Sequence, residues 1–265
     1  MESNFLLINK PKGWTSFDVV GYIRKQVREQ MKQAGLSAEA KKIKVGHAGT
    51  LDPFATGLLI VGVGREATRR LDEFKNLPKT YIATIKLGAV SDTFDSTGII
   101  TEYKKPLSNC YIVILLKKIF KKTSITSVNL DYLPDMPSWQ AGPNIRIVLS
   151  KFIGKQHQLP PMFSAKKVNG QKLYDLARQG ITIKRKKSKI EIYNIKLIEY
   201  SYPTLKIEVS CSAGTYIRTL AYDIGKKLKT GAYCEELERT KIGEYLVEDA
   251  LLPQNLSTTK FISLS

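Results

Sequence analysis

Short strand-forming runs, single helices and long connections follow one another along this 265-residue chain, an order that favours an α+β fold on a largely antiparallel sheet. Phe5-Leu6-Leu7-Ile8 reads as a strand entering a turn at Pro11-Lys12-Gly13. Ser16 stands where it can cap the following helix, in which Val19, Val20, Ile23 and Val27 recur on one side. A Lys-rich linker then leads to Gly46-His47-Ala48-Gly49-Thr50-Leu51-Asp52-Pro53, whose small residues, proline and aspartate predict a tightly folded loop. Strands are expected over 58–63, 80–88, 190–199 and 205–211, and helices over 67–74, 173–179 and from Gly214 to about Leu228. The tract 91–98 reads as a polar, turn-rich loop.

Between Cys110 and about Ile147 the pattern changes. An apolar-basic stretch, YIVILLKKIFKK, precedes Ser/Thr/Asn-rich sequence and then Pro134, Pro137, Trp139, Gly142 and Pro143. This suits a surface excursion or a loosely packed subdomain. The apolar run also fits a buried helix or strand, or an amphipathic interfacial segment.

Forty-two Lys and Arg stand against 24 Asp and Glu, a net charge of +18 that points to a polyanionic partner or to a generally solvated basic surface. Three cysteines without close spacing argue against a disulfide framework. Two histidines and no CxxC leave little for zinc. The N-terminus lacks a basic leader, and the longest apolar run, 111–116, is too short for a bilayer, so a cytoplasmic protein is expected. No GxxxxGK[ST], HExxH, GxSxG or complete dinucleotide fingerprint occurs, which weighs against kinases, metalloproteases, esterases and oxidoreductases.

Asp52 is the sharpest chemical candidate. It lies in a glycine-containing loop, is followed by Pro53, and has His47 five residues before it. An aspartate so placed also serves as an Asx-turn or a helix cap. Arg218 falls with Tyr216 near a strand-to-helix junction; a buried Arg there needs an anion, which Asp52, another acid or a phosphate would supply. Tyr81, early in a strand, offers a ring to stack on a base, or simply packs. Lys166-Lys167 and Lys184-Arg185-Lys186-Lys187, interleaved with Asn169, Gly170 and Tyr174, suit a grip on an RNA backbone, or a solvated face.

Five blocks, in one order, make the chain resemble the bacterial tRNA pseudouridine-55 synthase family from about Phe5 to Ala250. They are Asn9-Lys10-Pro11-Lys12-Gly13 with Thr15-Ser16; GHAGTLDPFATGLLIV from Gly46; Tyr81 with LGAVSDTFDSTG from Leu87; QLPPMFSAKKVNGQKLYDLARQG from Gln158; and CSAGTYIR from Cys211 with LERTKIG from Leu237. The resemblance implies a pseudouridine synthase fold, a mixed, mostly antiparallel central sheet with a catalytic cleft. It places the family's catalytic aspartate on Asp52, its base-stacking tyrosine on Tyr81 and the arginine pairing with the aspartate on Arg218. His47 matches a wedge that helps hold the T-loop with its uridine extruded. Lys10 and Pro11 match a segment near the catalytic loop, and Tyr216 and Leu237 match pocket-lining positions. Gly46, Thr50, Lys167, Tyr174 and Arg178 fall in the same blocks as RNA-binding or pocket positions. No cofactor or metal is implied, and the partner is the tRNA T-arm, bound by a monomer without an obligatory protein partner.

The resemblance also implies a catalytic domain over 1–250 with an insertion at 110–147. The tail, 251–265, is too short for a full accessory RNA-binding domain. Phe163 stands where the family usually has Tyr, Lys166 replaces an apolar residue, and Ser188 sits where an Arg is common. The Arg218 guanidinium is expected to keep Asp52 ionised even when desolvated. A non-catalytic RNA-binding protein, and the same chemistry on another RNA, are the rival readings.

Overall fold

The computed structural model describes residues 4–103, 145–164, 166–168 and 170–258. In chain order its elements are β1 (Asn4–Lys10), α1 (Ser16–Gln33), α2 (Ser37–Lys42), β2 (Val45–Ala48), β3 (Thr56–Val63), α3 (Arg65–Lys75), β4 (Lys79–Leu87), β5 (Ala89–Ser91), β6 (Ile100–Glu102), β7 (Gly154–Gln158), β8 (Lys167–Val168), β9 (Gln171–Lys172), α4 (Leu173–Arg178), β10 (Ser188–Ser201), β11 (Thr204–Cys211), α5 (Ile217–Leu228), β12 (Ala232–Ile242) and β13 (Tyr245–Leu246). A helical stretch over 145–150 precedes β7. Nearly all of the 110–147 tract lies outside the described residues; at its end, Ile145 is buried in the main core.

The principal sheet runs β1-β3-β12-β4-β11-β10-β7, with β2 and β13 pairing onto β3 and β12. Its ladders are antiparallel except β3 with β12. It is the mixed, mostly antiparallel sheet that the strand pattern favours, completing an α+β fold. In β4 every second residue is buried, and Tyr81, Ala83, Ile85 and Leu87 join α5 and β11 in the largest core cluster. In β3 both faces are covered. Leu59, Val61 and Val63 pack with α1, whereas Leu58 and Ile60 pack with α3, which is why its sequence is a continuous apolar run rather than an alternation.

Several expectations are corrected. Thr15, not Ser16, caps α1: Asp18 N donates to Thr15 Oγ1 at 3.0 Å and Thr15 N donates to Asp18 Oδ2 at 2.7 Å, a reciprocal capping box. Part of the Lys-rich linker folds as α2, because Arg28 of α1 donates to the carbonyls of Ala40 and Lys41 at its C-terminal end, both at 3.2 Å. Residues 45–48 form β2 rather than loop. Gly46 is there for close packing: a Cβ on it would meet Leu71 Cδ1 of α3 at 3.0 Å. Helix α5 begins at Ile217 rather than Gly214, since Gln158 of β7 clasps Tyr216 just ahead of it, accepting from its N–H at 2.8 Å and donating to its carbonyl at 2.9 Å. Past residue 250, Leu251 bonds back to β1 on both sides, and Leu256 is buried against α1.

Candidate active site

The segment between β2 and β3 carries Asp52, and three neighbours fix its backbone. Leu51 N donates to Ser16 Oγ at 2.9 Å while Ser16 Oγ donates to Leu51 O at 3.2 Å. Gly13 N donates to Pro53 O at 2.8 Å. Lys10 is wholly buried, and its Nζ donates to the carbonyls of Pro11 at 2.9 Å and Trp14 at 2.7 Å and reaches that of Pro53 at 3.5 Å. Burial lowers the Lys10 ammonium to about 8, opposed by the Asp52 charge. Leu51, Phe54 and Ala55 are buried in the main core, so the loop is anchored from below while Asp52 turns toward the cleft.

Arg218, in the first turn of α5 and 3% exposed, meets Asp52 with two nitrogens. Nη2 donates to Oδ1 at 3.0 Å, and Nε lies 2.9 Å from Oδ2, out of hydrogen-bond alignment. The Asp52 side chain keeps 33% of its surface open. The same guanidinium donates through Nη1 to Asp95 Oδ2 at 2.9 Å and to Thr93 O at 3.0 Å, and through Nη2 to Phe163 O at 2.8 Å. Asp95 is 3% exposed; its other oxygen accepts from Thr93 Oγ1 at 2.8 Å and Thr97 N at 2.9 Å. Asp95 was not foreseen, because its tract reads as an ordinary polar turn.

This sharing bears on the charge of Asp52, which Arg218 is expected to hold ionised. Burial pushes the Asp52 carboxyl above the usual carboxylate range; Arg218 pulls the other way, and Asp95 adds to the rise. One guanidinium divided between two carboxylates does not outweigh the desolvation of Asp52.

Six of the sequence-predicted residues line one cleft: Thr50, Asp52, Tyr81, Tyr216, Arg218 and Leu237. Lys79 and Arg239 join them unforeseen. Tyr81, 8% exposed on β4, has its phenol pushed up by burial, with Arg239 opposing. The other predicted residues stand outside that lining. Lys10 and Pro11 lie beneath the loop, and Gly46 packs against α3. His47, on β2, is half-buried, and its ring stands edge-on to that of Phe17 at 5.7 Å between centroids. Burial lowers its pKa, which favours a neutral imidazole at pH 7. On α4, Arg178 covers the Tyr174 ring at 4.4 Å. Lys167 falls in β8, and its side chain lies outside what the structure describes. Two of the sequence's departures from the family it resembles meet: Lys166 Nζ donates to Ser188 Oγ at 2.6 Å.

Among the described residues no cluster of His, Cys, Asp and Glu is arranged to hold a metal, and no helix is long and apolar enough to cross a membrane. The cleft thus offers a partly open carboxylate, a fixed cation behind it and a phenol, groups suited to nucleophilic or proton-transfer work.

Residues 36–127 and 134–217 match the family described as TruB family pseudouridylate synthase, N-terminal domain. The tRNA pseudouridine synthase B of Protochlamydia amoebophila is 42% identical over 246 residues, covering 93% of this chain and 76% of that protein. That of Parabacteroides distasonis is 40% identical over 251 residues, covering 95% and 90%. The solved structure of a Cbf5-Nop10-Gar1 complex superposes with a TM-score of 0.61 at 24% identity over 96% of this chain. The chain spans about half of that larger one, 53%, and the likeness is one of fold.

Proposed function

The chain belongs to the TruB family of pseudouridylate synthases and is a tRNA pseudouridine synthase; we propose that it isomerises the uridine at position 55, in the T-loop, with Asp52 as the catalytic carboxylate. The observation that carries this is the two-nitrogen contact of Arg218 with Asp52 on the cleft wall, with Tyr81 lining the same cleft.

The reaction breaks the bond from uracil N1 to ribose C1′, turns the base and rejoins it through C5. Nothing is oxidised and no group is lost, so the chemistry calls for no redox or group-carrying cofactor. A carboxylate is needed, either to attack C1′ or to take the 2′ proton. Asp52 suits both, being ionisable, held by a guanidinium and a third exposed. Its raised pKa makes it a stronger base than a free aspartate once ionised. The Tyr81 ring would hold the detached base by stacking, and its hydroxyl would serve in removing the C5 proton.

The uridine must first leave its stack, at a cost of about a few kcal/mol. His47, neutral and edge-on to the exposed Phe17, is suited to filling the gap it leaves. A folded T-loop would be recognised by shape, with Lys and Arg on its phosphates.

The test is Asp52→Ala assayed on a T-arm RNA, with binding measured separately from conversion. Binding should stay within about twofold of wild type while single-turnover conversion falls by at least ~10⁴-fold. Appreciable conversion by the variant would remove Asp52 from the mechanism. Failure of the wild type on T-arm RNA, with conversion of another RNA, would move the substrate elsewhere.

A further inference from the structure

Among the described residues only two besides glycines have a φ in the left-handed region, and one of them, Phe94 at +66°, stands between Thr93 and Asp95. The other, Lys229, caps the end of α5. Phe94 closes a turn by donating its N–H to Ser91 O at 3.1 Å, and glycine is the usual residue in such a conformation. A bulky side chain is strained there and persists only where its surroundings hold it. Two contacts do so. The Phe94 carbonyl accepts from Cys234 N of β12 at 2.9 Å, and its ring stacks on Tyr222 of α5, with centroids 4.4 Å and planes 25° apart.

Tyr222 comes four residues after Arg218, so the two share one side of α5. The stretch 93–95 is docked along that side, with Phe94 on Tyr222 and both of its neighbours on Arg218. Thr93 O and Asp95 Oδ2 accept from the same nitrogen, Nη1, at 3.0 and 2.9 Å. A guanidinium is planar and rigid, so two acceptors on Nη1 set the plane in which Nη2 meets Asp52 Oδ1 and Nε faces Oδ2. Thr93 and Asp95 are buried, whereas the two stacked rings are half-buried and belong to no core cluster among the described residues. The stack is thus a contact of the turn with α5 and not a part of the main packing.

We propose that Phe94 and Tyr222 are positioning residues: their stack clamps the left-handed turn to α5, and so keeps Thr93 O and Asp95 on Arg218 in the orientation that presents its fork to Asp52. This rests on the reading of Asp52 given above. Neither ring lines the cleft, and both act through Arg218. Without the stack the turn relaxes from its strained conformation, Nη1 loses two fixed acceptors, and the guanidinium turns relative to Asp52. A displacement of about 1 Å in such a pair is enough to slow a reaction about 100-fold.

The test is single-turnover conversion of saturating T-arm RNA, well below the melting temperature, by wild type, Phe94→Gly, Tyr222→Ala and Tyr222→Phe, with RNA affinity measured separately. Glycine removes the ring while leaving the left-handed backbone free of steric cost, and alanine is a good helix former. Phe94→Gly and Tyr222→Ala should each convert at least about tenfold more slowly with affinity within about twofold of wild type, and Tyr222→Phe, which keeps the stack, should stay within about twofold in both. In an Arg218→Lys background, which has no fork to orient, Tyr222→Ala should add less than about threefold. Conversion by Tyr222→Ala within about threefold of wild type overturns the proposal, as does an equal loss in the Arg218→Lys background. Should Phe94→Gly fail to fold, Tyr222→Ala decides alone. Full conversion by Asp52→Ala would instead sink the reading of Asp52, whereas an inactive Asp52→Ala beside a fully active Tyr222→Ala sinks only the role of the stack.

Discussion

Arg218 works because its donors point in several fixed directions at once. Asp52, Asp95, Thr93 O and Phe163 O are all within 3.0 Å of its terminal nitrogens, so one side chain ties three stretches of chain around the cleft to α5. A lysine in its place has the charge but not the planar fork, and one ammonium would serve only some of these partners. Arg218→Lys should therefore lose at least ~100-fold in single-turnover conversion; a variant within about threefold of wild type would mean that the fork geometry is unimportant. Asp52 gives a prediction of opposite sign for stability. Its folded-state pKa is raised, so its contribution to stability is fully present below its unfolded pKa and is lost as pH rises through the folded value. At neutral pH the ionised carboxylate is thus a cost, and Asp52→Asn should melt at or above the wild-type temperature while making no product. A clear fall in melting temperature at pH 7, absent at pH 3, would reverse that sign. Asp52, Tyr81 and Arg218 were legible in the sequence because each lies in a distinctive block. Asp95 was not, since Ser-Asp-Thr-Phe-Asp-Ser-Thr-Gly is also the composition of a plain turn; what distinguishes it is a partner 123 residues away.

At the level of elements, the loop that carries Asp52 is held by the strand and helix ahead of it. Ser16 follows the cap of α1, is buried, and spends its hydroxyl on both backbone groups of Leu51. Ser16→Ala would leave the Leu51 N–H without that acceptor, at a cost of about 1–3 kcal/mol. Helix capping should be untouched, because Thr15 and Asp18 supply it. The expected result is a lower melting temperature and a roughly tenfold slower conversion with little change in RNA affinity. Thr15→Ala provides the contrast, a loss of stability with conversion largely kept; equal effects of the two on conversion would contradict the separation of roles. Periodicity made most of the elements readable, because β4 and β11 alternate and α1 repeats its apolar positions on one side. The misreadings occurred where one residue type serves two purposes. The glycine at 46 allows α3 to approach β2, whereas in a sequence it signals a loop. Thr15 and Ser16 are equally good caps by composition, and the tertiary partner of Ser16 decides between them. Helix α2 has little local signal, and its ending depends on a side chain from α1.

For the whole molecule, a net charge of +18 acts over distances that individual contacts do not. The basic run at 184–187 is divided in its duties. Arg185 is partly buried and donates to Pro160 O at 2.7 Å, supporting the connection that carries Phe163 to Arg218. Lys184, Lys186 and Lys187 are exposed, and the structure commits none of them to an ion pair among the described residues. If the tract grips RNA phosphates, each contact releases counterions and adds about 0.7–0.9 to the slope of log affinity against log salt. Replacing the three exposed lysines together by alanine should weaken T-arm RNA binding and flatten that slope by up to about 2–3 when measured between ~50 and ~200 mM salt. Conversion at saturating RNA should stay near wild type, since none of the three borders the cleft. Arg185→Ala should behave differently, with a smaller change in slope and a slower chemical step, because the side chain it removes also supports a wall of the cleft. An unchanged slope in the triple variant would show that the phosphates are met by another face, and a loss of conversion equal to that of Arg185→Ala would show that binding and catalysis are not divided along this tract.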